Sequence, residues 1–159
     1  MSPLEPILIW LETSHHAAFR AGGWAFVRSE GGVVTGLAGG DRRLDAERIA
    51  LEGLVAALKG RAPGAPLRLT TASPLIAGLP ARVRAAAAGQ NAPTENLALW
   101  AQVATALAAP DTEIVRVAAG AAGPTSFATG WAEFARDKAK AGAFTWPIPK
   151  GNLAKAGVG

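Results

Sequence analysis

Gly31-Gly32 separates two runs suited to extended backbone, Gly22-Gly23-Trp24-Ala25-Phe26-Val27-Arg28 and Val33-Val34-Thr35-Gly36-Leu37, and this arrangement constrains the fold more than anything else in the chain. A two-residue glycine turn supplies the positive φ angles that a tight hairpin needs, so the two runs are expected to pair antiparallel. Ahead of them Ile7 to Thr13, apolar and containing branched residues, reads as another strand entered through Pro6. Three strands therefore precede the first helix, and they form a meander.

The pattern then changes. Asp45 is placed to cap a helix with Ile49, Leu51, Leu54, Val55 and Leu58 on a mostly one-sided stripe, ended by Gly60. Leu67 to Thr71 is the next strand, entered through Pro63-Gly64-Ala65-Pro66. Between Pro74 and Thr94 the pattern weakens to a helical turn around Leu75, Ile76 and Leu79 and an Ala-rich run at 85–88. Asn96 to Ala108 reads as a helix stopped by Pro110, Thr112 to Val117 as the fifth strand, and Ser126 to Lys140 as the last helix. Hairpins first and crossovers afterwards require an α/β fold with a five-stranded mixed sheet: an antiparallel meander of strands 1–3, then parallel strands 4 and 5, flanked by helices.

Beyond Gly142, Pro147 and Pro149 forbid regular helix in Ala143-Phe144-Thr145-Trp146-Pro147-Ile148-Pro149-Lys150. The expected organisation is one domain over 1–141 followed by a basic, proline- and aromatic-containing arm over 142–159. In that arm Phe144, Trp146 and Ile148 would pack on the domain or engage a partner.

With 159 residues, half of them hydrophobic, one domain can bury a sizeable core. The absence of cysteine excludes disulfides, thiol nucleophiles and thiolate metal sites. The apolar run Pro6 to Leu11 is too short to span a bilayer, and Glu5 stands where a signal peptide carries basic charge, so no membrane role and a cytoplasmic, bacterial protein are expected. The net charge of +4 is unevenly placed: residues 1–135 hold eleven Arg and Lys against eleven acids, whereas 136–159 hold Arg136, Lys138, Lys140, Lys150 and Lys155 against Asp137. This excess could touch phosphates or simply solvate the tail.

Several fragments, in order, resemble those of type 1 ribonucleases H. Gly22-Gly23-Trp24 is similar to the Gly-Gly-aromatic start of that family's second strand, and Glu12-Thr13-Ser14 stands where the family has Asp-Gly-Ser. Asn96-Leu97-Ala98-Leu99-Trp100 resembles Asn-x-Asp-Leu-Trp, and Ala119-Gly120-Ala121-Ala122-Gly123 resembles Lys-Gly-His-Ala-Gly. Leu69-Thr70-Thr71-Ala72-Ser73, Ala46 to Leu51 and Trp131 to Ala135 fall on the segments that carry the remaining acids in the family. The resemblance covers roughly residues 6–138 and implies the ribonuclease H fold. The segment matching the basic handle of the bacterial enzymes is short and offers Arg82 and Arg84 without a tryptophan.

The resemblance also implies a loss. Where the family holds two magnesium ions with carboxylates, this chain has Glu12, Ala50, Ala72 and Ala132, and the loop histidine is Ala121. Two cations a few ångströms apart need several carboxylates to neutralise their charge, so no magnesium pair, no cofactor and no intact catalytic set are expected. Glu52 and Glu133 are turned away by helical rotation from the matched alanines; Glu47 keeps nearly the same face as Ala50, one turn earlier, and a different helix register would place it at the family glutamate, although the register matching Ala50 puts Leu51, Leu54, Val55 and Leu58 on the family's buried positions. His15 and His16, in the loop after the first strand, could place at most one imidazole beside Glu12 and read equally as exposed loop residues. Gly22-Gly23 and Gly31-Gly32 read as turns, since neither opens a helix. Trp10, Trp24, Trp100 and Trp131 fall on predicted elements and read as packing residues, leaving Trp146 free.

Three functions compete. A catalytically degenerate ribonuclease H-like domain would bind nucleic acid such as an RNA–DNA hybrid, or a nucleic-acid-processing partner, through Thr13, Ser14, Arg48, Ser73, Asn96, Lys138 and Lys140. An interaction module would use a sheet edge or the Phe144-to-Pro149 arm to engage a protein or a second copy. An active enzyme would cleave the RNA of a hybrid with Glu12, Glu47 and a histidine.

Overall fold

The computed structural model describes residues 5–62 and 64–158, so Pro63 lies outside the described residues. Its order is β1 Ile7–His16, β2 Ala21–Glu30, β3 Val33–Arg42, α1 Ala46–Leu58, β4 Leu67–Thr71, α2 Pro74–Ala77, α3 Leu79–Ala87, α4 Leu97–Leu107, β5 Thr112–Arg116, α5 Pro124–Lys138, a 3-10 turn Ala139–Ala141, β6 Phe144–Pro147 and α6 Lys150–Leu153. The strands form one sheet in the order β5-β4-β1-β2-β3-β6. The β1-β2-β3 meander is antiparallel, and β4 and β5 join it in parallel, as the sequence implied. Gly31 and Gly32 turn the β2–β3 hairpin with φ of 58° and 79°, a pair of positive angles that L side chains rarely adopt.

Three expectations are corrected. The sheet has six strands, because Phe144–Pro147 pairs antiparallel with β3, Trp146 facing Ala38 and Phe144 facing Gly40. Proline prevents helix there but is tolerated in an edge strand. Strand β1 continues to His16, so His15 and His16 are strand residues paired with Gly22 and Ala21 rather than loop residues. Gly22 and Gly23 lie within β2 rather than in a turn, and a Cβ on Gly23 would run into the Ala132 carbonyl and the Arg136 amide of α5. The glycine is needed because a helix backbone lies directly on the strand.

The two faces of the sheet differ in side-chain size. On one, Ile9, Leu11, Trp24, Phe26 and Leu69 pack against Ile49, Leu51 and Leu54 of α1, with Trp100 and Val103 of α4 completing the layer. Arg28 reaches from β2 to the end of α1 and donates to the Lys59 carbonyl at 2.9 Å, where the helix leaves its last acceptors unpaired. On the other face Ala25, Val27 and Ala38 meet Ala132 and Ala135 of α5, with Ile148 and Leu153 closing the far side. Small residues let α5 approach closely. The same helix thereby lies over the end of β1 where Glu12 stands.

Candidate nucleic-acid interface

Strand β1 sends Ile7, Ile9 and Leu11 toward α1, and by alternation Trp10, Glu12 and Ser14 toward α5. Glu12 faces Ala25 across the β1–β2 ladder, is only 4% exposed, and accepts the Ala72 N–H at 2.7 Å. Burial raises its pKa from 4.5 to about 7, against smaller opposing pulls from the Ala72 N–H and the Thr71 hydroxyl.

Of the other positions that the resemblance sets against carboxylates, Ala72 is half-buried at the end of β4, and Ala132 is fully buried between α5 and the sheet. Ala50 is fully buried on the opposite face, in the α1 layer. Ala121 is half-buried in the turn before α5, its N–H donating to the Ala118 carbonyl at 3.2 Å. Neighbouring acids are engaged elsewhere: Glu47 is ion-paired with Arg82, whose guanidinium lies 4.5 Å from the Trp100 ring centroid, and Glu52 holds Arg48 at 3.0 Å. Glu133 is exposed on α5. Among the described residues, no three histidine or carboxylate side chains gather where they could hold a metal ion.

The polar residues singled out in the sequence do not form one surface. Ser14 accepts from Arg136 at 3.0 Å, joining β1 to α5, while Thr13, its neighbour in an alternating strand, points to the other face. Ser73 caps α2, its hydroxyl accepting the Ile76 N–H at 3.2 Å. Arg48 donates to Asn96 at 3.3 Å, linking the starts of α1 and α4, with Asn96 in left-handed backbone (φ 56°). Lys140 lies 4.4 Å from the Phe19 ring, whereas Lys138 lies 5.0 Å from Trp146, so the two lysines serve different faces. His15 Nε2 donates to the Leu44 carbonyl at 2.8 Å, and the His16 ring lies tilted against Phe19, centroids 4.8 Å apart, with its Nδ1 buried and unpartnered. Of the three residues assigned to a partner-binding arm, Ile148 is buried, Phe144 is half-buried and Trp146 is exposed.

A cluster that the sequence did not reveal stands at the same end of the sheet as Ser14. The ladder places His16 beside Ala21 and Ala21 beside Arg42, and the Leu44 N–H donates to the Arg20 carbonyl at 3.3 Å. Arg20, Arg42 and Arg43 are thus drawn together, all exposed and none in an ion pair with a described residue. Phe19, 60% exposed, projects beside them under Lys140. Arg42 and Arg43 are adjacent in sequence, but Arg20 joins them only once β2 and β3 are in register.

The fold is that of ribonuclease H, as its likeness to solved structures shows. LC9-RNase H1, a type 1 RNase H with the type 2 active-site motif, superposes with a TM-score of 0.68 at 18% identity, over 96% of this chain and 81% of that one. The N-terminal RNase H domain of Rv2228c from Mycobacterium tuberculosis gives 0.61 at 16% identity, covering 86% and 96%. LC11-RNase H1, solved in complex with an RNA/DNA hybrid, gives 0.61 at 17% identity, covering 84% and 98%. No protein-family model and no curated protein sequence matches the chain.

Proposed function

We propose that this domain binds nucleic acid, with an RNA–DNA hybrid as its first candidate ligand, and does not cleave it. The observation that carries the reading is the state of Glu12: a single acid, buried, facing Ala25 across the ladder, bonded to the Ala72 main-chain amide and half-neutral near pH 7. A pair of magnesium ions does not fit such a set. Hard cations demand several ionised oxygens, and the methyl groups of Ala50, Ala72 and Ala132 provide none. Glu47 does not repair the loss, because Arg82 already neutralises it.

Backbone recognition needs no metal. Arg20, Arg42 and Arg43, with Lys140 and the exposed Phe19, offer phosphate-binding charge beside an aromatic surface at the end of the sheet. Because residues 1–135 are neutral overall, the affinity is modest and falls steeply with salt. Docking of a partner strand is disfavoured at β6. Ile148 donates inward to the Gly36 carbonyl at 3.0 Å, so by alternation Trp146 and Phe144 also face β3 and the outward positions are Thr145 and Pro147, the second of which has no N–H.

The test is a titration of an RNA–DNA hybrid at low and moderate salt, with a cleavage assay in magnesium and in manganese. Salt-sensitive binding with an intact RNA strand is expected. Cleavage, or no binding even at low salt, overturns the proposal.

A further inference from the structure

A row of four aromatic rings runs along the flank of α5 and on to β6. Phe127, Trp131 and Phe134 recur at intervals of four and three residues and so share one helical stripe, about 10 Å long, which Lys138 extends by one further turn. Successive ring centroids are 6.4 Å apart from Phe127 to Trp131, 5.4 Å from Trp131 to Phe134 and 6.0 Å from Phe134 to Trp146. The rings are tilted or edge-on to one another, so they do not close face to face. Phe134 and Trp146 are 45% and 42% exposed.

Two features mark this strip as more than spare apolar surface. First, a groove of about 430 Å³ opens along it, lined by Phe127, Trp131 and Phe134 together with the polar side chains of Ser126 and Asn152, and floored by Gly130. Second, the strip runs into the part of the chain that carries the whole net charge: Lys138 sits 5.0 Å from the Trp146 ring and 5.6 Å from the Phe144 ring, and Lys150 is exposed three residues beyond the end of β6. Asp137 is the only acid beyond residue 135, and Glu133 stands about 100° around the helix from Phe134.

We infer that this surface binds single-stranded nucleic acid, its bases stacking on the aromatic row and its phosphates tracking the lysines. Stacking suits the geometry because every base has a flat apolar face, while hydroxyl and amide groups in the groove can meet base edges. The charge selects this occupant over an apolar protein surface, which would leave Lys138 without a counter-ion in a buried contact. The surface is separate from the Arg20, Arg42 and Arg43 cluster, and it shares with the preceding proposal only the premise that the ligand is nucleic acid.

The experiment compares three probes on the intact protein by tryptophan fluorescence and anisotropy: a blunt RNA–DNA hybrid, the same hybrid with a single-stranded thymidine tail, and free oligo(dT). The tail is expected to tighten hybrid binding, and oligo(dT) to quench tryptophan emission. The double variant Phe134→Ala/Trp146→Ala, at exposed positions, should weaken oligo(dT) binding about fivefold or more while leaving the blunt hybrid unaffected, and Trp146→Phe should retain most of it. Lys138→Gln should reduce the salt dependence of oligo(dT) binding. Equal affinities in the parent and double variant, or a tail without effect, overturn the inference. So does concentration-dependent self-association that the double variant abolishes, since the surface is then a contact between copies. If oligo(dT) binds through the row and the blunt hybrid does not, the hybrid proposal falls and this one stands; if only the hybrid binds, the reverse holds.

Discussion

The Glu12 carboxylate accepts the Ala72 amide N–H at 2.7 Å, tying the one acid of β1 to the end of β4. The acid is buried, and its charge has one main-chain donor to rest on. Below about pH 4.5 folded and unfolded chains both carry the proton. Between 4.5 and about 7 the unfolded chain releases it while the folded chain keeps it, so stability falls as pH rises, by up to about 3 kcal/mol once the folded pKa is passed. Glu12→Gln keeps an acceptor for Ala72 and removes the charge. Its stability relative to the parent should therefore climb between about pH 5 and 8 and show no such gain near pH 4. Denaturant melts across that range check this, and a difference independent of pH refutes it.

Restoring a lost acid should not restore a nuclease. Ala132 is fully buried on the sheet-facing side of α5, where the helix already touches Gly23, so Ala132→Asp forces a carboxylate into a space cut for a methyl. A loss of at least about 2 kcal/mol is expected, read as a lowered Tm, with no metal-dependent cleavage. A stable variant that gains cleavage would contradict both this and the proposed function.

Gly23→Ala tests the close approach that shapes the site. Its methyl would meet three backbone atoms of α5, none of which can rotate aside, so the helix must shift. Destabilisation of about 2–3 kcal/mol is expected from equilibrium unfolding. An effect below about 0.5 kcal/mol would show that α5 slides freely on β2.

Arg20 and Arg43 hold left-handed backbone, with φ of 48° and 62°, at a cost of roughly 1 kcal/mol each. Arg43→Gly should therefore raise stability by up to about 1 kcal/mol while weakening hybrid binding at low salt. Opposite signs in the two measurements separate a binding role from a structural one; unchanged affinity would remove Arg43 from the interface.

The fold was legible because its determinants are local. Gly31-Gly32 announced the hairpin, Asp45 the start of α1, whose N–H at Arg48 it accepts at 2.8 Å, and the hydrophobic stripe its buried side. The sixth strand was not legible, because Pro147 reads as a breaker and its pairing with Leu37 joins segments far apart in sequence. The site divided in the same way. The alanines at 50, 72 and 132 stand in the sequence itself, whereas Arg20 comes beside Arg42 and Arg43 only through strand register. The aromatic row is legible in part: Phe127, Trp131, Phe134 and Lys138 keep a helical period, and Trp131 packs as its place on a predicted element implies, but Trp146 reads as free because nothing local says that β6 returns to α5.

Pro147 has a consequence beyond ending a strand. A sheet whose rim offers a continuous row of amide donors invites another chain to lengthen it, and an uncovered aromatic flank would add adhesion to that templating. With the ring of Pro147 occupying an outward position, the rim of β6 presents the lone N–H of Thr145 as a donor. Along this side the molecule can thus display tryptophan and phenylalanine to solvent beside a rim that offers its own copies little ladder to climb.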